Sequence, residues 1–339
     1  MVLSKQIVLK NYIESGTPTL EDFEEKTVKI STEELQAEEI VVRLEIVSPD
    51  PYMRGRMTSR KSYIPPFEIG KPISGYGIGK VTKAGSSSKY AVGDYIMGQL
   101  PWQEEFIYNS NSPYVNKIDS TLAPLESFLS VLGMVGLTAY HGLKEIGEPK
   151  QGETVVVSGA AGAVGQLVVQ ICKIKGCKVV GIAGSDDKIK YLVEELGLDA
   201  GVNYNSPTYK LDLGKAVPNG IDVYWENVGG VVSDAVWPLL NKFARIPLCG
   251  VISQYNNTEM EVGPRIEGYL LKTSSKLQGF IVSNYISKNG EALKQLAEWY
   301  KSGQIKDRHT VDNGFSQIVP SFLALFKGTN TGKMMVKLT

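Results

Sequence analysis

Two periods of hydrophobicity divide this chain. In its first third, apolar and polar residues alternate with a period of two, as in residues 5–9 and 39–47, which is how a sheet reads when one face is buried. Residues 75–83 and 94–99 predict two further short strands, with turns at Ala84-Gly85-Ser86-Ser87-Ser88 and Val92-Gly93-Asp94. The charge-dense run 21–39 predicts a solvated face or loop. From Ser127 the pattern changes. Helical spacing precedes an apolar strand at 155–158, a helix continues to about residue 175, and further strands fall at 178–183, 201–204, 221–226 and 244–251. Helical stretches at 188–196 and 292–299 complete the alternation, and the chain runs through 304–312 and 315–326 to a last strand at 333–337. Strands alternating with helices predict an α/β unit whose parallel sheet is covered on both faces. The expected layout is a β-rich domain made of residues 1–126 and 300–339, with a nucleotide-binding domain, 127–299, inserted into it.

The clearest chemical signal lies where the strand Val155-Val156-Val157-Ser158 meets the turn Gly159-Ala160-Ala161-Gly162-Ala163-Val164-Gly165. A dinucleotide pyrophosphate needs backbone N–H groups at a helix N-terminus, approached closely enough that Cβ atoms would obstruct it. A glycine turn between strand and helix, inside a βαβ series, meets that need. The usual first glycine is Ala160 here, with Gly159 one residue earlier. The end of the next strand selects the cofactor. NAD enzymes carry Asp or Glu there for the ribose hydroxyls, whereas this chain has Ala183-Gly184-Ser185. Lys188 follows one helical turn later and Tyr204 ends the next strand, a cation and a phenol suited to a 2′-phosphate; the pattern favours NADPH. Asp186 and Asp187 are expected to serve as cap or first-turn acids of the following helix.

Composition narrows the classes. The 36 basic and 36 acidic residues cancel, so no global field attracts nucleic acid or an anionic membrane. The most apolar stretch, 128–140, is too short to span a bilayer. Three cysteines, Cys172, Cys177 and Cys249, make no disulfide framework and suggest a reducing, cytoplasmic setting. Cys172 and Cys177 are expected on the helix after the glycine turn and Cys249 at a strand end, with only His141 and His309 beside them. That set does not make a zinc site. His141 is expected to be structural.

Several blocks together resemble one family. They are Asp50-Pro51-Tyr52-Met53-Arg54-Gly55-Arg56-Met57, Gly133-Met134-Val135-Gly136-Leu137-Thr138-Ala139-Tyr140, Glu226-Asn227-Val228-Gly229-Gly230, Cys249-Gly250-Val251-Ile252-Ser253-Gln254-Tyr255-Asn256 and Gln278-Gly279-Phe280. Their sequence is similar to the leukotriene B4 dehydrogenase, prostaglandin reductase and alkenal double-bond reductase branch of the zinc-independent medium-chain dehydrogenases/reductases. The resemblance implies a Rossmann doubly wound sheet inserted into a GroES-like catalytic domain, with a cleft between them, and a homodimer. It implies reduction of the carbon–carbon double bond of α,β-unsaturated aldehydes and ketones. Residue by residue, it implies Met134 and Thr138 near the nicotinamide end, and Gly162, Ala163, Val164 and Gly165 at the pyrophosphate. Gly184, Ser185, Lys188 and Tyr204 fall at the 2′-phosphate end. Asn227, Cys249, Ser253, Tyr255, Phe280, Val282 and Asn330 would line the rest of the groove. Residues 58–67 and 102–114 match no single subgroup and leave the substrate open.

Hydride delivered to the β-carbon of an enone leaves negative charge on the carbonyl oxygen, so a placed hydrogen-bond donor accelerates the step. Of 17 tyrosines, most are packing residues by default. Family position marks Tyr255 as the expected donor, Tyr52 as a second catalytic and substrate-binding phenol, and Tyr63 as a substrate contact. Arg54 and Arg56 read equally as anion contacts or as surface salt-bridge partners. Alternatives that share this apparatus are a quinone oxidoreductase, an eicosanoid-type alcohol oxidoreductase and a non-catalytic NADPH-binding protein.

Overall fold

Alternation in the first third of the chain folds into antiparallel pairs. The computed structural model describes residues 1–338 and divides the chain into two units. The first holds Met1–Leu129, Thr310–Thr329 and the segment from Met334; the second holds Ser130–His309 and Asn330–Lys333. In the first, β1 (Val2–Leu9) pairs antiparallel with β2 (Phe23–Ile30). β2 lies inside the run expected to be a solvated face or loop: it is a strand, and most of its side chains are solvated. Its charged side chains alternate onto an open face while Phe23 is buried, and Lys5 meets Glu25 across the pair at 2.9 Å. Charge density and strand pairing are compatible on a two-stranded sheet with one wet face.

Next come β3 (Glu39–Val47), β4 (Ser74–Ala84), β5 (Tyr95–Pro101), β6 (Glu105–Asn109), β7 (Val115–Ile118) and the short helix α1 (Leu125–Phe128). β3 pairs antiparallel with both β4 and β6. A register shift between Leu44 and Ile46 turns the strand over. Ile40, Val42 and Leu44 therefore enter one core with Trp102 and Phe322, and Ile46 enters another with Ile78, Ile118 and Met335. Pro51 opens the 3-10 turn Pro51–Met57, anchored by the fully buried Met53 and Met57. The two arginines of this turn bond to backbone carbonyls. Buried Arg54 donates to the Gly16 carbonyl at 2.9 Å. Arg56 donates to the carbonyls of Pro65 (3.0 Å) and Ser74 (2.9 Å) and lies over the Phe67 ring. They brace the turn that carries Tyr52.

The second unit runs α2 (Met134–Gly142), β8 (Thr154–Val157), α3 (Ala163–Ile174), β9 (Lys178–Ala183), α4 (Asp186–Lys190), β10 (Ala200–Asn203), α5 (Tyr209–Ala216), β11 (Ile221–Trp225), α6 (Gly230–Asp234), β12 (Leu240–Leu248), α7 (Glu267–Thr273), β13 (Lys276–Gly279) and α8 (Asn289–Lys301). Its six strands are parallel in the order β10-β9-β8-β11-β12-β13, the doubly wound arrangement. β8 explains its own composition. Val155 and Val157 pack toward Leu167 and Val168 of α3, and Val156 packs toward Tyr209 and Leu213 of α5, so no position of the strand faces water. α5, α7 and β13 escaped the sequence reading, because only Tyr209 and Leu213 of α5 are buried and β13 buries none of its residues fully. Among the described residues no helix is long and apolar enough to cross a membrane.

The chain returns through β14 (His309–Asn313), α9 (Ile318–Ala324) and β15 (Lys333–Lys337), which extend the first unit's sheet in the order β14-β15-β3-β4-β5-β7. Residues 304–309 pack with the second unit. Two glutamines one turn apart on α3 hold them: Gln170 accepts from Lys306 N (2.7 Å) and donates to its carbonyl (2.9 Å), and Gln166 donates to the Arg308 carbonyl (3.0 Å). A buried amide side chain supplies both a donor and an acceptor, so it pairs with extended backbone as a neighbouring strand would. Asp307 accepts from Ser130 (2.6 Å), joining the first residue of this unit to its last turn.

α3 starts close against the end of β8. Gly162 is its N-cap, and a Cβ on Gly165 would collide with the Gly159 carbonyl oxygen and the Ala160 backbone. A Cβ on Gly162 would lie 3.2 Å from the same oxygen. Gly165→Ala is therefore expected to cost about 1–3 kcal/mol, the range of overpacking, and Gly162→Ala clearly less. Thermal or urea unfolding of the two variants measures the difference.

Candidate cofactor and active site

Every strand of the parallel sheet delivers part of the site at its carboxyl end, where open α/β sheets bind ligands. β8 ends in the glycine turn. Gly159, with φ +58°, reverses the chain, and the first turn of α3 then presents the N–H groups of Ala163 and Val164 with no side chain capping them. A second glycine closes the turn from the other side. Gly332, with φ +71°, donates its N–H to the Ala161 carbonyl at 2.7 Å, and any Cβ there would strike the Arg308 carbonyl. Asn330 donates to the Gly332 carbonyl at 2.9 Å. Asn330 therefore braces the glycine turn from residues remote in sequence.

β9 ends at Ala183, followed by Gly184 and Ser185. The Tyr204 hydroxyl lies against Gly184, 2.7 Å from where a Cβ would sit. Ser185 caps α4 and accepts from the Lys188 N–H at 3.4 Å; Asp186 and Asp187 occupy the first helical turn, as expected of acids at a helix start. Asn203 holds Asp186 at 2.7 Å. Lys188 is half-buried, and that burial lowers its ammonium pKa below the ordinary lysine value. An anion beside it would relieve the desolvation. Gly184, Ser185, Asp186 and Tyr204 stand together beyond the end of β9.

β11 and β12 form the other part. Asn227 is held at three atoms: its N–H donates to Ser158 Oγ (2.8 Å), Nδ2 donates to the Ser158 carbonyl (2.8 Å), and Oδ1 accepts from Trp225 Nε1 (3.0 Å). Beyond β12, Ser253 N–H donates to the Val228 carbonyl at 3.0 Å, and its hydroxyl stands over Gly229. Tyr255 follows the 3-10 turn Ile252–Gln254 and brings its hydroxyl back over Gly250, 3.1 Å from where a Cβ would sit. Cys249 is desolvated beside Glu226, which pushes its thiol up to about 12. Phe280 packs in the core against Trp225, ring centroids 5.8 Å apart, and Val282 begins the segment after β13. On α2, Thr138 donates to the Met134 carbonyl at 2.7 Å, placing the two residues on one helical face.

In the first unit, Tyr52 joins a polar cluster that the sequence reading did not anticipate. Gln99 donates to its hydroxyl at 3.5 Å, and Asp50, which accepts from Ser48 at 2.7 Å, lies close enough to act on Tyr52 and Tyr76. Burial and then the Asp50 charge raise the Tyr52 pKa above the ordinary phenol value. It remains a neutral donor. Tyr63 is exposed on the loop after the turn and, like Tyr52, acts on the Arg56 guanidinium. Cys177 does not sit on α3 as expected; it follows the helix end and donates to the Lys150 carbonyl at 3.3 Å. His141 is buried, with Nε2 against Asn289 Oδ1 at 3.0 Å and its ring stacked on Tyr285, a structural role.

Residues 5–115 match the family model "N-terminal domain of oxidoreductase", and residues 163–301 match "Zinc-binding dehydrogenase". The chain is 40% identical to the NADPH-dependent curcumin reductase of Escherichia coli over 95% of its length and 94% of that protein's. It is 38% identical to the NADP(+)-dependent 2-alkenal reductase of Nicotiana tabacum, over 100% of this chain and 98% of the relative. The crystal structure of CurA from Vibrio vulnificus in complex with NADPH superposes with a TM-score of 0.92 at 38% identity, covering 99% of both chains. The word zinc in the second family description does not fit these residues. Among the described residues no three His, Cys, Asp or Glu side chains form a group able to hold a metal ion. With relatives of this identity matched from end to end, the chain belongs to the medium-chain dehydrogenase/reductase family, in the branch of the curcumin and alkenal reductases.

Proposed function

We propose that the protein is an NADPH-dependent reductase of the carbon–carbon double bond in α,β-unsaturated aldehydes and ketones. The observation that carries this reading is a phenol, Tyr255, at the carboxyl end of the same sheet whose first turn is bare backbone. The 38–40% identity to reductases of curcumin and 2-alkenals supports it over the full chain. NADPH, when bound, supplies the hydride that adds to the substrate β-carbon. The protein's part is to hold and to polarise. Ala163 and Val164 N–H groups with Gly162 and Gly165 receive the pyrophosphate, and Lys188 with Tyr204, Gly184 and Ser185 receives the 2′-phosphate. Met134, Thr138, Asn227, Cys249, Ser253, Phe280, Val282 and Asn330 shape the remaining groove. Tyr255 donates a hydrogen bond to the substrate carbonyl oxygen and stabilises the enolate, whose α-carbon takes its proton from solvent or through this hydroxyl. Tyr52 is a second phenol for substrate, kept protonated by burial, and Tyr63 contacts the substrate's distal part. On this reading the β-rich unit is the catalytic domain and the parallel-sheet unit the nucleotide domain.

We also read the protein as a cytoplasmic homodimer. Three free cysteines support the compartment, and family membership supports the dimer.

Oxidation of NADPH should be fastest with alkenals, linear enones or curcuminoid diketones; a naphthoquinone giving the highest kcat/KM would overturn the substrate class. Tyr255→Phe should lower kcat/KM for an enone at least tenfold while NADPH affinity stays within twofold, read by steady-state kinetics and fluorescence titration. Lys188→Ala should raise the Kd for NADPH about tenfold or more, the order of one lost charge-assisted contact, with little change for NADH. Equal weakening of both cofactors would refute the 2′-phosphate assignment.

A further inference from the structure

Glu226 is the buried charge that this mechanism does not use. It follows β11 and is 2% exposed. A carboxylate out of water is costly unless donors saturate it, and here four neutral donors do so. Its Oε1 accepts from Ser158 Oγ (2.8 Å), Val228 N–H (2.8 Å) and Gly229 N–H (3.0 Å), and its Oε2 accepts from Ser233 Oγ. An ionised carboxylate accepts only, at up to about four lone-pair sites. Glutamine would turn an N–H toward one of the donors, and an apolar residue would leave all four without an acceptor.

The two oxygens face different parts of the unit. From Oε2 the contacts lead to Ser233 on α6 and on to the Tyr224 hydroxyl at 2.9 Å, inside the core. From Oε1 they lead to the strand ends. Ser158, whose proton goes to Glu226, accepts at the same oxygen from the Asn227 N–H. Val228 and Asn227 in turn bear on Gly159: a Cβ there would lie 3.4 Å from Val228 Cγ2 and 3.5 Å from Asn227 Cβ. One carboxylate thus fixes the turn after β11, and through Ser158 it fixes the register between that turn and the glycine turn after β8.

We infer that Glu226 is a positioning residue for the cofactor: its Oε1 arm sets the separation between the glycine turn at 159–162 and Asn227, and so the affinity for NADPH, without touching the cofactor. The inference rests on the reading of this edge as the NADPH site. It makes the two arms of one side chain separable. Ser158→Ala breaks the arm toward the groove; Ser233→Ala breaks the arm toward the core. Both delete a buried hydroxyl and both should lower the melting temperature.

The experiment measures the Kd of the full-length protein for NADPH by fluorescence titration, together with thermal unfolding and the KM for NADPH. Glu226→Gln should raise Kd and KM at least tenfold and Ser158→Ala at least fivefold, with kcat within threefold of the wild type. Ser233→Ala should leave Kd within twofold despite its lower melting temperature. The inference is overturned if Glu226→Gln and Ser158→Ala lower the melting temperature and leave Kd within twofold, or if Ser233→Ala shifts Kd as far as they do. Failure of the wild type to bind NADPH would instead remove the cofactor reading, and this inference with it.

Discussion

One backbone contact governs the carboxyl edge of the parallel sheet: the Gly159 carbonyl lies directly against the Cα of Gly165, where no side chain fits. That contact brings the start of α3 up against the end of β8. It decides which amide groups face outward and how near a phosphate can come to them. The roles proposed for Lys188, Tyr204, Asn227 and Tyr255 depend on that fixed point. A ring hydroxyl a few ångströms from a bare glycine, as at Tyr204 over Gly184 and Tyr255 over Gly250, repeats the same device. Side chains at this edge cover backbone that carries no side chain of its own.

Around this edge the polar groups are buried in pairs that leave little to relax. Gln166 and Gln170 clamp an extended segment, Glu226 gathers a turn, and Ser158 links two strand ends. Each is a hydrogen-bonded group in a low-dielectric interior, where a missing partner costs more than the bond returns. Rigidity follows. A site that transfers hydride over a short, aligned path gains from groups that need no rearrangement when charge develops.

What the sequence discloses tracks what each residue type can hide. β8 was legible because a strand buried on both faces leaves a run of valines, and the glycine turn because bare backbone has no other code. Lys188 and Tyr204 could be singled out because a cation and a phenol suit a 2′-phosphate, the role proposed for them above. β2 was not, since its charged alternation is shared with a solvated loop, and α5 and β13 bury too little to impose a period. Glu226 stood in plain sight after the apolar strand at 221–225. An acid there reads as a surface residue until its four donors, drawn from Ser158, residues 228–229 and Ser233, are seen to converge. Such convergence is tertiary, and local periodicity does not carry it.

The clamp by Gly332 has a consequence for biosynthesis. The six parallel strands are complete once Gly279 has been made, yet the piece that bonds to Ala161 lies at residues 330–333. A chain emerging from the ribosome N-terminus first can assemble that sheet while its phosphate turn still lacks one wall. Closing the wall joins points far apart along the polymer, with the loop entropy such closure entails. The unit begun at Ser130 is therefore sealed only by residues translated well after its last strand has been completed at Gly279, and until they emerge the carboxyl edge of the sheet lacks one wall.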